Sequence, residues 1–209
     1  MALGSTVRGL FGRHEHRIAE AYREMFMSIA DYGEQIAAIV PRPARILEIG
    51  GGEGAVTEVL AERFPEAAIL SIDISPRIGR LYRGRTRDVE FRQATVEDIA
   101  ARQPGQYDLV TLSDVLHHVP AALRGEILAA AAHCVAPGGH FLFKDWERAA
   151  SPIHWLCHAG DRFLTGDRVA YLTPAEAGTL IRQSAPQLSP AATATIRPWR
   201  NNYMQLYRC

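Results

Sequence analysis

Glu48, Gly50, Gly52 and Gly54 stand at alternate positions where the apolar run Ile46-Leu47-Glu48-Ile49 gives way to the periodic segment Ala55 to Phe64. That pattern predicts a buried strand, a tight turn and a helix start. Glycines at such a turn let the backbone approach a ligand with no Cβ in the way, and the helix start adds N–H donors and the positive end of a dipole. A nucleotide-type cofactor suits it. A dinucleotide would call for G-x-G-x-x-G, but the glycines from Gly50 run G-x-G-x-G, and counting from Gly52 puts Thr57 in the last glycine slot. This register disfavours a nucleotide-binding oxidoreductase. Nineteen residues past Gly54, the run Ala68 to Asp73 ends in an acid whose carboxylate can accept both hydroxyls of a ribose, with Ile74 next to lie against a base. Further along, His117 and His118 follow Ser113-Asp114, Asp145 closes another apolar run, and His154, His158 and Asp161 crowd a later segment. A histidine oriented by a carboxylate is suited to removing a hydroxyl proton near neutral pH. His117 or His118 with Asp145 is the expected base, and His158 is the reserve candidate.

These side chains need strands to carry them. Val89 to Gln93, Tyr107 to Ser113 and His140 to Asp145 read as further strands, alternating with helical segments. Pro120 opens a helix that runs to about Cys134, and Pro137-Gly138-Gly139 turns into the fifth strand. Such alternation predicts an α/β sheet, mostly parallel, with candidate bases at its carboxyl ends. Apolar residues Ile18, Tyr22, Met25, Ile29, Ile36 and Val40 recur at helical spacing, predicting one cap helix from Arg13 to Val40 that Pro41 and Pro43 terminate. Thr173 with Glu176 forms a capping box for a helix at Pro174 to Ser184. Thr193 to Arg197 and Tyr203 to Tyr207 read as strands joined by a turn holding Trp199 and Arg200.

The glycine motif with Glu48 at the strand end resembles the first motif of the class I S-adenosylmethionine-dependent methyltransferases. The ordered strand ends through Leu116-His117-His118-Val119 extend the resemblance over roughly residues 44 to 145. S-adenosylmethionine brings an ammonium and a sulfonium, which makes electrostatic sense of a carboxylate near the loop. The resemblance implies a Rossmann-like seven-stranded, mostly parallel sheet with an antiparallel C-terminal hairpin and helices on both faces. It also implies cofactor contacts from Glu48, Gly50, Gly52, Gly54, Asp73 and Ile74, from Thr95 and Val96 at the adenine, and from Ser113 and Asp114 beside the methyl donor. Thr95 stands where the family usually has an aspartate, so its hydroxyl would replace a carboxylate at the adenine amino group. Methyl transfer to a hydroxyl of a small organic molecule is the implied activity. The rivals are transfer to nitrogen or carbon, an RNA or protein methyltransferase, and a non-catalytic S-adenosylmethionine-binding module.

Composition narrows the class. Basic and acidic residues number 23 each, which leaves no broad basic field for nucleic acid. No Asn/Asp-Pro-Pro-Tyr motif follows the fourth strand, which argues against methylation of base amino groups. The arginines at 77, 80, 83, 85 and 87 read as a solvated face. Lys144 is the one lysine among 23 basic residues, a bias that suggests a GC-rich bacterial genome. Three scattered cysteines make neither a disulfide framework nor a metal cluster, and a reducing cytoplasm fits. No apolar run approaches a membrane span. His154 and His158 are four apart, but no helix-spaced ligand motif flanks Asp145, so no metal is expected. The whole chain, 1–209, is expected to form one domain: a cap region (1–43), a cofactor core (44–145), an aromatic substrate roof (146–190) and the closing hairpin (191–209). Self-association as a homodimer is compatible with this reading.

Overall fold

The structure is a computed structural model and describes residues 26–84, 88–155 and 169–209. Seven strands form one sheet: β1 (Arg45–Ile49), β2 (Ala68–Asp73), β3 (Val89–Gln93), β4 (Tyr107–Ser113), β5 (Val135–Trp146), β6 (Ser189–Ile196) and β7 (Asn202–Arg208), in the order β3-β2-β1-β4-β5-β7-β6. The first five run parallel, and β7 is antiparallel to both β5 and β6. The expected Rossmann-like sheet with its C-terminal hairpin is therefore the observed one. Strand order reverses between β1 and β4, which opens a crevice at their carboxyl ends, where open α/β sheets bind ligands.

Alternation along each strand supplies the two faces. Leu47, Leu70, Val110, Phe141 and Phe143 pack against α3 (Val96–Arg102), α4 (Arg124–Cys134) and α5 (Pro174–Ser184). On the other face, Ile46, Ile69, Leu109, Leu142 and Met204 meet α1 (Ile29–Ile39) and α2 (Ala55–Arg63). Buried parallel strands read as near-continuous apolar runs for this reason.

Residues 13–25 of the expected cap helix lie outside the described set, and the part from Phe26 to Val40 is not one continuous helix. Among the described residues the helical run breaks at Met27 and Ser28, and Ser28 caps a new helix by accepting the Asp31 N–H at 3.3 Å. Tyr32 and Ile36 of α1 are fully buried against the sheet, so this helix is core and not roof. Asp31 accepts the Arg197 backbone N–H at 2.7 Å and Arg197 Nε–H at 2.9 Å, which ties α1 to the β6–β7 connection. Burial pushes its carboxyl pKa up, and these Arg197 contacts more than offset that, leaving it below the ordinary range. The helix after Pro120 also departs from expectation. It opens as a 3-10 turn over Ala121–Leu123, and α4 proper begins at Arg124. The Thr173–Glu176 capping box forms as the sequence requires.

Candidate functional site

Three loops converge at the carboxyl ends of β1, β2 and β4. The glycine loop after β1 is held from below: Gly50 N–H and Gly51 N–H both donate to the Ile72 carbonyl, at 2.8 and 3.0 Å. A Cβ on Gly50 would stand 2.1 Å from Val115 Cγ2, and one on Gly51 would stand 2.0 Å from Ser71 Oγ. Gly52 differs. At φ +48°, its Cβ would meet nothing nearer than the Gly50 carbonyl at 3.9 Å, so this is the glycine whose missing side chain leaves open space. Asp73 spans the crevice floor, its Oδ2 accepting Gly52 N–H at 2.9 Å and its Oδ1 accepting Ser75 N–H at 2.7 Å. Ile74 stands 77% exposed beside it, an apolar face with no protein cover.

Glu48 lies beneath this loop, 1% exposed, with its Oε2 accepting from Thr57 Oγ1 in the first turn of α2 at 2.5 Å. Burial raises its carboxyl above the ordinary range, while the Thr57 and Ser71 hydroxyls pull the other way. The carboxyl thus fastens strand to helix under the glycines. At the adenine position, Thr95 is the N-cap of α3: its Oγ1 accepts Asp98 N–H at 3.2 Å and donates to Asp98 Oδ2 at 3.0 Å. Its hydroxyl is engaged in that cap, and Val96 follows as the first helical residue.

The end of the fourth strand carries the candidate base. Ser113 Oγ lies 3.0 Å from Tyr32 Oη and 3.1 Å from Thr111 Oγ1, a buried hydroxyl chain under the strand end. Asp114 follows at φ +56°, a left-handed turn that aspartate tolerates better than most residues. The turn delivers His117, 6% exposed, with its Nδ1 at 2.5 Å from Asp145 Oδ1 at the end of β5. Asp145 Oδ1 also accepts the Trp146 N–H at 2.8 Å. His118 is exposed and lies beside His117, ring centroids 4.1 Å apart, with Tyr171 on His117 as well at 4.9 Å. His154 is tied elsewhere, accepting Trp146 Nε1–H at its Nδ1 at 3.2 Å. His158 and Asp161 lie outside the described residues.

A glycine cradle after the first strand, an acid ending the second and polar groups ending the fourth are the layout expected of S-adenosylmethionine sites. The "Methyltransferase domain" family model matches residues 20–184. The chain belongs to the S-adenosylmethionine-dependent methyltransferases. A ubiquinone biosynthesis O-methyltransferase of Xanthomonas campestris pv. campestris (strain B100) is 30% identical over 180 residues, 80% of this chain and 73% of that protein. Among solved structures, a 1,6-didemethyltoxoflavin-N1-methyltransferase of Burkholderia thailandensis with bound S-adenosylhomocysteine superposes at a TM-score of 0.68 with 18% identity, covering 98% of this chain and 87% of that one. An O-methyltransferase family protein from the same organism gives 0.67 at 19% identity, and this chain spans 59% of its length. S-adenosylmethionine is the cofactor, and the open face of Gly52 with the neighbouring Asp73 carboxylate fits it.

Other features of this methyltransferase were not singled out as site residues from sequence. Lys144, 1% exposed, places its Nζ 2.7 and 2.5 Å from the two carboxylate oxygens of Asp114. Tyr203, directly across the strand pair from Asp145, has a buried hydroxyl with no partner among the described residues, as does Asp145 Oδ2. One ligand atom each from Asp114, His117 and Asp145 lie within 4.8 Å of one another, a donor set of the type that holds divalent cations. Asp114, His117 and Asp145 are all site candidates in the sequence; what the sequence does not show is that Lys144 joins them. Among the described residues no helix is long and apolar enough to cross a membrane. Arg80 of the arginine group pairs with Glu53 at 2.5 Å, and residues 85 and 87 lie outside the described set.

The raised Glu48 pKa makes a stability prediction. Below about pH 4.3, the ordinary glutamate value, the carboxyl is protonated in both folded and unfolded chains and costs nothing. As pH rises toward the elevated native pKa, the unfolded chain ionises first and stability falls. Glu48→Gln should remove that fall, so its denaturation midpoint relative to wild type should rise from pH 5 to pH 8. Parallel pH dependences in chemical denaturation would refute a buried, proton-retaining Glu48.

Proposed function

We propose that this methyltransferase methylates a hydroxyl group of a small organic molecule, with a phenolic hydroxyl as the favoured acceptor, and that His117 is the base. The observation that carries this is the His117–Asp145 pair, buried at the ends of β4 and β5 beside the cofactor crevice. The cofactor, when bound, supplies an electrophilic methyl carbon on a sulfonium. Asp145 accepts the Nδ1–H of His117, which fixes the tautomer whose Nε2 carries the basic lone pair. His117 Nε2 takes the acceptor's hydroxyl proton as the oxygen–methyl bond forms and the sulfur–methyl bond breaks. Asp145 then steadies the imidazolium. His118 lines the outer side of that ring, and Gly52 and Asp73 hold the methyl donor in line on a loop that Glu48 fastens from beneath.

Phe26, Trp146 and Tyr171 form a small apolar cluster next to the histidines, which supports an aromatic acceptor. The ubiquinone biosynthesis O-methyltransferase relative supports oxygen over nitrogen or carbon. Cys134 and Cys209 are free thiols, which suits a reducing cytoplasm. The test is to incubate the purified protein with S-adenosylmethionine and a panel of catechols, simple phenols, aliphatic alcohols and amines, identifying products by mass spectrometry. O-methylated phenols are expected. Transfer confined to amines would overturn the hydroxyl reading, and a histidine base would then be unnecessary.

A further inference from the structure

We propose that Lys144 is a built-in cation standing where a divalent metal ion would otherwise bind, so that Asp114, His117 and Asp145 work metal-free and accept a metal only when the lysine charge is removed. The three donors are close enough to share an ion, within 4.8 Å. Each is already committed. Lys144 Nζ takes both Asp114 oxygens, at 2.7 and 2.5 Å, and those are the atoms a metal would need at coordination distance. His117 Nδ1 is bound to Asp145 Oδ1 at 2.5 Å, so the nitrogen facing the cluster has no lone pair to offer while it donates that proton. Asp145 Oδ2 is the acceptor left without a partner among the described residues.

Charge explains why a cation is needed here. Two carboxylates at adjoining strand ends, one of them fully buried, repel each other in a poorly solvated site unless something positive lies between or beside them. A metal ion is one answer and an ammonium is another. Lys144 reaches the same turn as Asp145 from the opposite face of the sheet, because successive residues of a strand point to opposite sides. Its side chain is 2% exposed, so the charge cannot swing out to solvent to make room. In a chain whose other Lys/Arg positions are all arginine, the one lysine falls here, its compact point charge on the two Asp114 oxygens. Lys144 is therefore a positioning residue: it sets Asp114, 39% exposed at the crevice, in its left-handed turn.

The inference concerns what occupies the cluster, and it holds whatever the methyl acceptor proves to be. Mn²⁺ titration followed by electron paramagnetic resonance and calorimetry tests it without reference to turnover. Wild type should bind no stoichiometric Mn²⁺, and Lys144→Met should bind one ion, lost again when Asp114→Asn is added. With an acceptor in hand, wild-type turnover should survive EDTA, whereas Lys144→Met should lose about 10–100-fold and regain part of it with Mn²⁺. Stoichiometric Mn²⁺ in wild type that Asp114→Asn abolishes would overturn the proposal, as would a folded Lys144→Met that binds none. Should Lys144→Met not fold, Lys144→Gln keeps a donor to Asp114 without the charge and takes its place, and the wild-type titration decides on its own.

Discussion

His117→Ala should lower kcat by about 10²–10⁴-fold, the range for losing a positioned general base, while S-adenosylmethionine affinity stays near wild type. The ring packs on Asp145, His118 and Tyr171 at the ends of β4 and β5, away from the Gly52–Asp73 contact expected to hold the cofactor, so cofactor affinity should change little. His118→Ala should cost far less, because His118 is exposed whereas His117 is buried on the Asp145 carboxylate. Asp145→Asn should approach the His117→Ala loss without adding to it in the double variant, since the two residues act as one unit. The pH–rate profile of wild type should show an acid limb from protonation of the histidine, absent in His117→Ala. If alanine at both histidines leaves rate and profile intact, general-base catalysis from β4 is excluded, and alignment alone accounts for transfer.

The strands were legible because a sheet covered on both faces must bury nearly every residue of its central strands. Ile46 to Ile49, Ala68 to Asp73 and Tyr107 to Ser113 therefore announce themselves as largely apolar runs, the first ending at the glycine loop and the other two in polar residues. The crevice followed from topology, since strand ends in such a sheet gather at one edge. What the sequence hid were features that depend on conformation at single residues. Ser28 sits inside an uninterrupted helical periodicity, and only its cap geometry shows that the helix stops and restarts there. Thr95-Val96-Glu97-Asp98 forms a capping box with aspartate where Glu or Gln is usual, so it is less legible in the sequence than Thr173 to Glu176. The Lys144–Asp114 pair depends on a positive φ at Asp114, which nothing in the neighbouring residues announces. Tyr203 comes opposite Asp145 only through the antiparallel register of β7 on β5, which spacing along the chain does not encode.

Gly52→Val should leave a folded protein that binds S-adenosylmethionine about 5–150-fold more weakly. The structure separates this glycine from its neighbours. A side chain at Gly50 or Gly51 strikes Val115 or Ser71 near 2 Å, so substitutions there should fail in folding. At Gly52 the nearest atom to a new Cβ is 3.9 Å away, and the fold meets no clash. Two separate costs then arise. Valine at φ +48° costs about 1–2 kcal/mol of backbone strain, drawn from stability. Its two methyls fill the space over the loop that the cofactor needs, beside the Asp73 carboxylate that receives Gly52 N–H. Overpacking of a well-filled site runs to about 1–3 kcal/mol, which corresponds to about 5–150-fold in affinity. Gly52→Ala should lie between, losing a smaller factor with a similar backbone cost. Calorimetric titration with S-adenosylhomocysteine, paired with thermal denaturation of the free protein, distinguishes the two effects. Wild-type affinity in a folded Gly52→Val protein would show that the methyl donor does not lie over this loop, and the whole cofactor placement would have to move.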